Sequence, residues 1–255
     1  MQGSVTNTFS QNLHGLYGSF GVMDGHRADA FVLIDNNNDT VPEGVDAGKK
    51  KLQRATVGAF LHGKPALFDY ELEAAYQMGS MAVADDAERA SIGAYLLSGS
   101  LGYTLNKAKK VRLGLLYTRL SGDDDLTDGT TRTFNTLFAT NHKFYGFMDY
   151  FLNIPAHTLG LGLRDVHAKV SFKPHSDLSV RLAYHHFSAN EDYTLADGTA
   201  SSGFGDEVDF TLVFNYNQRV SFTGGASLFA PGPIFEETQG EDLGAWGYVM
   251  TVVNL

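Results

Sequence analysis

Residues 68–78 read FDYELEAAYQM, and their alternation decides the fold class. Phe68, Tyr70, Leu72, Ala74, Tyr76 and Met78 share one parity, while Asp69, Glu71, Glu73 and Gln77 share the other. Period two places each set on its own face of a strand, whereas a helix would mix them. The pattern recurs on both sides. Toward the N-terminus, Ala28, Ala30, Val32 and Ile34 oppose Arg27 and Asp29. Ala55, Val57, Ala59 and Leu61 oppose Arg54, Thr56, Gly58 and His62, with Phe60 the exception. Toward the C-terminus, Val111, Leu113, Leu115 and Tyr117 face away from Arg112. Val166, Ala168, Val170 and Phe172 oppose Asp165, His167 and Lys169, and Leu178, Val180, Leu182 and Tyr184 oppose Arg181 and His185. Val208, Phe210, Leu212, Phe214 and Tyr216 oppose Asp209 and Thr211. About 12 strands are counted in this way.

The connections fall into two kinds. Short turns (HGKP, NKAKK, KPHSD, NQR) alternate with long acidic segments such as SGDDDLTDGTTR, ANEDYTLADGTASSGFGDE and APGPIFEETQGEDLG. A soluble sandwich would bury the apolar faces together; a membrane barrel turns them to lipid and lines a wet lumen with the polar faces. Tyr76, Tyr103, Tyr117, Tyr184 and Tyr216 recur near the expected strand ends, as an interfacial girdle requires, and the opposite faces carry charges of both signs. The expected fold is therefore all-β, an antiparallel transmembrane β-barrel forming one domain over residues 1–255. Hydrophobic residues make up 43% of the chain, yet no run approaches the roughly 18–20 that a spanning helix needs, and a barrel needs none. If the apolar parity meets lipid, Arg at Leu182 or Phe210 should be costly and Arg at Ala183 or Thr211 tolerated.

Zero cysteines exclude disulfides and thiolate metal sites, and a net charge of −10 argues against nucleic-acid binding. The opening residues, MQGSVTNTFSQN, lack the basic start and apolar core of a secretory leader. Between the strands lies residues 134–151, FNTLFATNHKFYGFMDYF, which is neither strand nor helix by pattern: a compact aromatic insert folded into or over the β structure. Together with LGLRDVHAKVSFKP and LSVRLAYHHFSAN, this insert resembles the alginate export family of outer-membrane β-barrels, from about residue 52 to the C-terminus. Because barrels of that family have about eighteen strands, the resemblance implies that this chain is part of a larger barrel. It also implies a porin-like channel for an anionic polysaccharide (alginate-like) or related polar solute. Such a channel would stand in outer-membrane lipid and have periplasmic export components as candidate partners.

The candidate solute-binding residues are the inward charges. Arg54, Arg112, Lys169 and Arg181 form a basic ladder suited to carboxylates, and Asp165 and Asp209 are anions on the same face beside Asp69, Glu71 and Glu73. The bland reading is that these charges pair across strands and hold the wall. In the insert, His142, Lys143 and Asp149 match the family's HKFYGFMDYF pattern, with a local Lys143–Asp149 ion pair as the structural alternative. No catalytic residue, cofactor or metal is expected. His185 and His186 point to opposite faces. His167 and His185 share the inward parity and could approach one another, but no triad spacing accompanies them. Asp35, Asn37 and Asp39 begin like a calcium loop, but Thr40 stands where glycine is required. The remaining alternatives are a general diffusion porin and an outer-membrane hydrolase using His167 or His185.

Overall fold

In the computed structural model, the described residues are 11–37, 51–82 and 89–254. The calcium-loop positions Asp39 and Thr40 lie outside them. Among the described residues twelve strands form one sheet: β1 (Gln11–Met23), β2 (His26–Asn37), β3 (Leu52–Gly63), β4 (Phe68–Ala82), β5 (Arg89–Asn106), β6 (Val111–Leu120), the two-residue β7 (Thr130–Thr131), β8 (Leu163–His175), β9 (Leu178–Thr194), β10 (Ala200–Asn215), β11 (Val220–Pro231) and β12 (Gly244–Val253). Eleven of them follow one another antiparallel in chain order, while β7 adds to β5 in parallel. A short helix, α1 (Ile154–His157), lies between β6 and β8, and another, α2 (Pro233–Thr238), between β11 and β12.

The two parities separate as the alternation requires. Leu72, Tyr76, Leu97, Leu115, Val166, Leu182, Val208 and Phe210 are exposed on the outer surface, whereas Thr56, Gln77, Thr118, Asp165, His185, Asp209 and Thr211 are buried inside. An outer wall of apolar side chains over a polar interior is inverted with respect to a soluble protein and fits a wall standing in lipid. Aromatic rows mark its height. Phe68 stacks beside Tyr103 near the short turns, and Tyr76 pairs with Tyr95 eight residues further along both strands, roughly 26 Å at the rise of an extended chain. On β9 and β10 the outward parity turns polar beyond Tyr184, where the Tyr184 hydroxyl and His186 both bond Asp206. That change marks the upper edge of the apolar band.

Several elements differ from the sequence expectation. Tyr76 and Tyr184 fall mid-strand, because β4 and β9 continue to Ala82 and Thr194 beyond the band. Most of the segment ANEDYTLADGTASSGFGDE, expected as a loop, is likewise strand and belongs to β9 and β10, with only residues 195–199 turning. Outside lipid neither face needs to be apolar, so these extensions carry no alternation to read. The last acidic segment holds α2, which begins at Pro233 and turns Ile234 and Phe235 into the interior.

Candidate functional site

The insert enters the lumen from the end that carries the long connections and is pinned at both ends. At its start, the buried Gln77 amide on β4 grips the backbone of Asn135, donating from Nε2 to the carbonyl at 2.7 Å and accepting from the N–H at 3.0 Å. Phe134 is buried beside it. At its close, Phe151 packs on Phe187, Phe204 and Phe235, and Tyr150 on Phe229 and Phe235. Between them, the buried Glu207 carboxylate accepts the Met148 N–H at 2.9 Å. Gly146 lies against that carboxylate with φ +83, where a Cβ would come within 2.6 Å of it. Tyr145 is buried too, and burial followed by the Asp165 and Glu73 carboxylates pushes its phenol pKa up.

Below the insert, the strand register stacks the inward residues in layers. Nearest the short turns, Arg112, Ser171, Arg181 and Thr211 form one row across β6, β8, β9 and β10. The next row holds Lys169, Ala183 and Asp209; the next His167, His185 and Glu207; and above that Asp165 and Phe187 reach the aromatic insert. A cavity of about 550 Å³ opens on the first row, lined by six cations: Lys64, Lys107, Lys110, Arg112, Lys173 and Arg181. No carboxylate is among its lining residues. A second cavity, about 560 Å³, lies under the insert against β1 to β6 and carries Glu71, Glu73 and Lys143. By register the Asp69–Arg112 ion pair stands between the two along this wall, with Arg112 Nε donating to Asp69 Oδ2 at 2.8 Å.

Of the expected basic ladder, the structure brings Arg112, Lys169 and Arg181 onto adjacent rows. Arg54 stands apart, near the opposite end of β3, in a 2.7 Å ion pair with the buried Asp35. Asp165 and Asp209 also lie outside the basic cavity: Asp165 bonds His185, and Asp209 accepts from Ser227 at 2.5 Å. In the insert, Asp149 pairs with His142 at 2.6 Å and not with Lys143, whose ammonium sits 5.2 Å from the Phe144 ring centroid. A local Lys143–Asp149 pair is thus replaced by His142–Asp149. Sequence reading passed over Lys64, Lys107, Lys110 and Lys173 because they belong to the short turns HGKP, NKAKK and KPHSD. The signal available was that each of these turns carries lysine.

An antiparallel sheet with a lipid-facing outer surface and a charged lumen defines an outer-membrane β-barrel channel. The family model described as alginate export matches residues 6–249, and the chain belongs to that family. No curated protein matches in sequence. Among solved structures the chain is similar to the NanC porin, at 11% identity and TM-score 0.44 over 96% of this chain and 94% of that one. It is also similar to Salmonella typhi OmpF in complex with daunomycin, at 12% identity and TM-score 0.45 over 89% of this chain and 61% of that one. A further similarity is to the Vibrio cholerae outer membrane protein OmpT, at 7% identity and TM-score 0.40 over 95% and 89%.

Proposed function

We propose that this outer-membrane channel passes an anionic polysaccharide of the uronate, alginate-like class without converting it chemically. The family supports this reading, and the observation that carries it is the cavity at the short-turn end, with six cations and no carboxylate among its lining residues. Short turns face the periplasm in such barrels, so polymer handed over by periplasmic export components meets this mouth first. A uronate chain presents a carboxylate on each sugar. The guanidinium fork of Arg181 suits those carboxylates, while the turn lysines act as point charges and Arg112 stays held by Asp69. Each exposed pair is worth only about 0.2–1 kcal/mol, so capture sums several contacts and no single one prevents release.

Efflux of labelled oligosaccharides from liposomes containing the folded protein tests this. Uronate oligomers should leave faster than neutral oligomers of equal length, and the advantage should shrink as salt rises. Equal rates would favour a general diffusion porin. Ester hydrolysis by a protein that conducts nothing would replace transport with an enzyme.

A further inference from the structure

Beneath the insert stands a cluster that polymer passage leaves unused. Asp165 and His167 on β8 and His185 on β9 each offer a ligand atom, and these atoms all lie within 4.8 Å of one another. Asp165 and His185 are buried, and the His167 and His185 rings stack with centroids 3.9 Å apart. His185 Nδ1 is 3.0 Å from Asp165 Oδ2, and its Nε2 is 3.9 Å from Asp209 Oδ2.

Two further observations point to a missing partner. Nε2 of His167 is buried without a hydrogen-bond partner. Glu207, opposite His185 on β10 and fully buried, has its Oε2 equally unpartnered. Buried polar atoms are ordinarily satisfied, and an orphan is costly to keep. Three buried carboxylates, Asp165, Glu207 and Asp209, also gather here. Among the described residues the only ion-pair partner of Asp165 and Asp209 is His185, and Glu207 has none.

We infer that Asp165, His167 and His185 bind a divalent transition-metal ion of the zinc or cobalt class. Two imidazoles and one carboxylate suit such ions, whereas calcium and magnesium take oxygen ligands. With neutral imidazoles the ion would retain one positive charge, which the Asp209 carboxylate beside His185 offsets. Metal–ligand bonds of about 2.0–2.2 Å in a tetrahedral set require the more widely spaced of the three ligand atoms to close by about 1 Å or more, while His185 Nδ1 and Asp165 part slightly. His167, only half-buried, leaves a way in from the lumen. Because Glu207 also holds the Met148 N–H, the ion would sit directly beneath the seat of the insert.

The untagged full chain, folded in detergent and equilibrated with Co2+, provides the test. One ion per chain with visible bands of nitrogen and oxygen ligation is expected, and H167Q and D165N should each weaken uptake at least tenfold. H14Q, which alters an exposed histidine, should not. Equal uptake by wild type and H167Q, or no uptake by wild type, overturns the proposal. Should the variants fail to fold, histidine-labelled wild type titrated with Zn2+ decides by NMR. Shifts at His167 and His185 support the site; shifts confined to His14, His62 and His175 overturn it.

Discussion

Gln77 shows how a single side chain on the wall fixes the insert. It is fully buried, and its two bonds to Asn135 satisfy a peptide that no strand reaches. Replacing Gln77 with Leu keeps the volume but orphans that N–H and C=O, at about 1–3 kcal/mol for each group. Limited proteolysis should then cut residues 134–151 in Q77L while the barrel still migrates as a folded species. An insert as resistant as wild type would contradict this anchoring. Gly146 makes the same point at the opposite wall: G146A places a Cβ at positive φ against the Glu207 carboxylate and should lower thermal stability by more than about 1 kcal/mol. In the connection before β7, the Arg132 guanidinium, then the Thr130 N–H, holds the Asp128 carboxyl below its ordinary range. A depressed carboxylate pKa means that order gained from this group is present at neutral pH and is lost only as pH falls through the lowered value. A carboxylate NMR titration should therefore place the Asp128 midpoint below about 3.9.

At the scale of elements, parity governs. Leu182 and Phe210 point outward from β9 and β10, and Arg at either should cost about 2–4 kcal/mol if it lies near mid-bilayer. The inward controls must be chosen with care. Ala183 and Thr211 are buried, at 6% and 7% exposure, so the tolerance to Arg expected for them from the alternation does not apply where the lumen wall is packed. Ser100, opposite Glu71, is half-buried but lines the second cavity, which leaves room for a long side chain, and S100R should fold like wild type. Equal damage by L182R and S100R in a detergent-refolding assay would contradict the lipid-facing assignment. The strands were legible in the sequence wherever lipid on one side and water on the other impose period two, as from Phe68 to Met78. The extensions of β9 and β10 were not, because both of their faces are outside the apolar band. The insert could be seen as aromatic, but its anchors could not: Gln77 and Glu207 look like ordinary members of a polar parity until the fold brings Asn135 and Met148 to them.

On the scale of the whole molecule, the sheet poses a closure problem. Among the described residues β1 pairs only with β2 and β12 only with β11, and because the two edges are the first and last of eleven alternating strands, β1 and β12 run in the same direction. Lipid does not tolerate unpaired backbone groups, so in the membrane both edges must be hydrogen-bonded. Amide exchange of the protein in lipid should therefore show protected N–H groups along both lateral edges of β1 and β12, and rapid exchange along the outer edge of either would contradict a closed wall. The lumen is layered along its length. Cations gather at the short-turn mouth, histidines and carboxylates lie midway, and aromatic rings close over them.

The transport account rests on the basic mouth, and single-channel recording in a planar bilayer tests it most directly. Polyuronate added on the short-turn side should block the current. Blockade should weaken at least severalfold in a Lys107→Gln, Arg181→Gln double variant and fade as salt screens exposed charges over about 8 Å or less. Small-ion conductance should change little. Blockade that is unchanged in the double variant, or equally strong with a neutral polysaccharide of the same length, would contradict capture of a polyanion at this mouth.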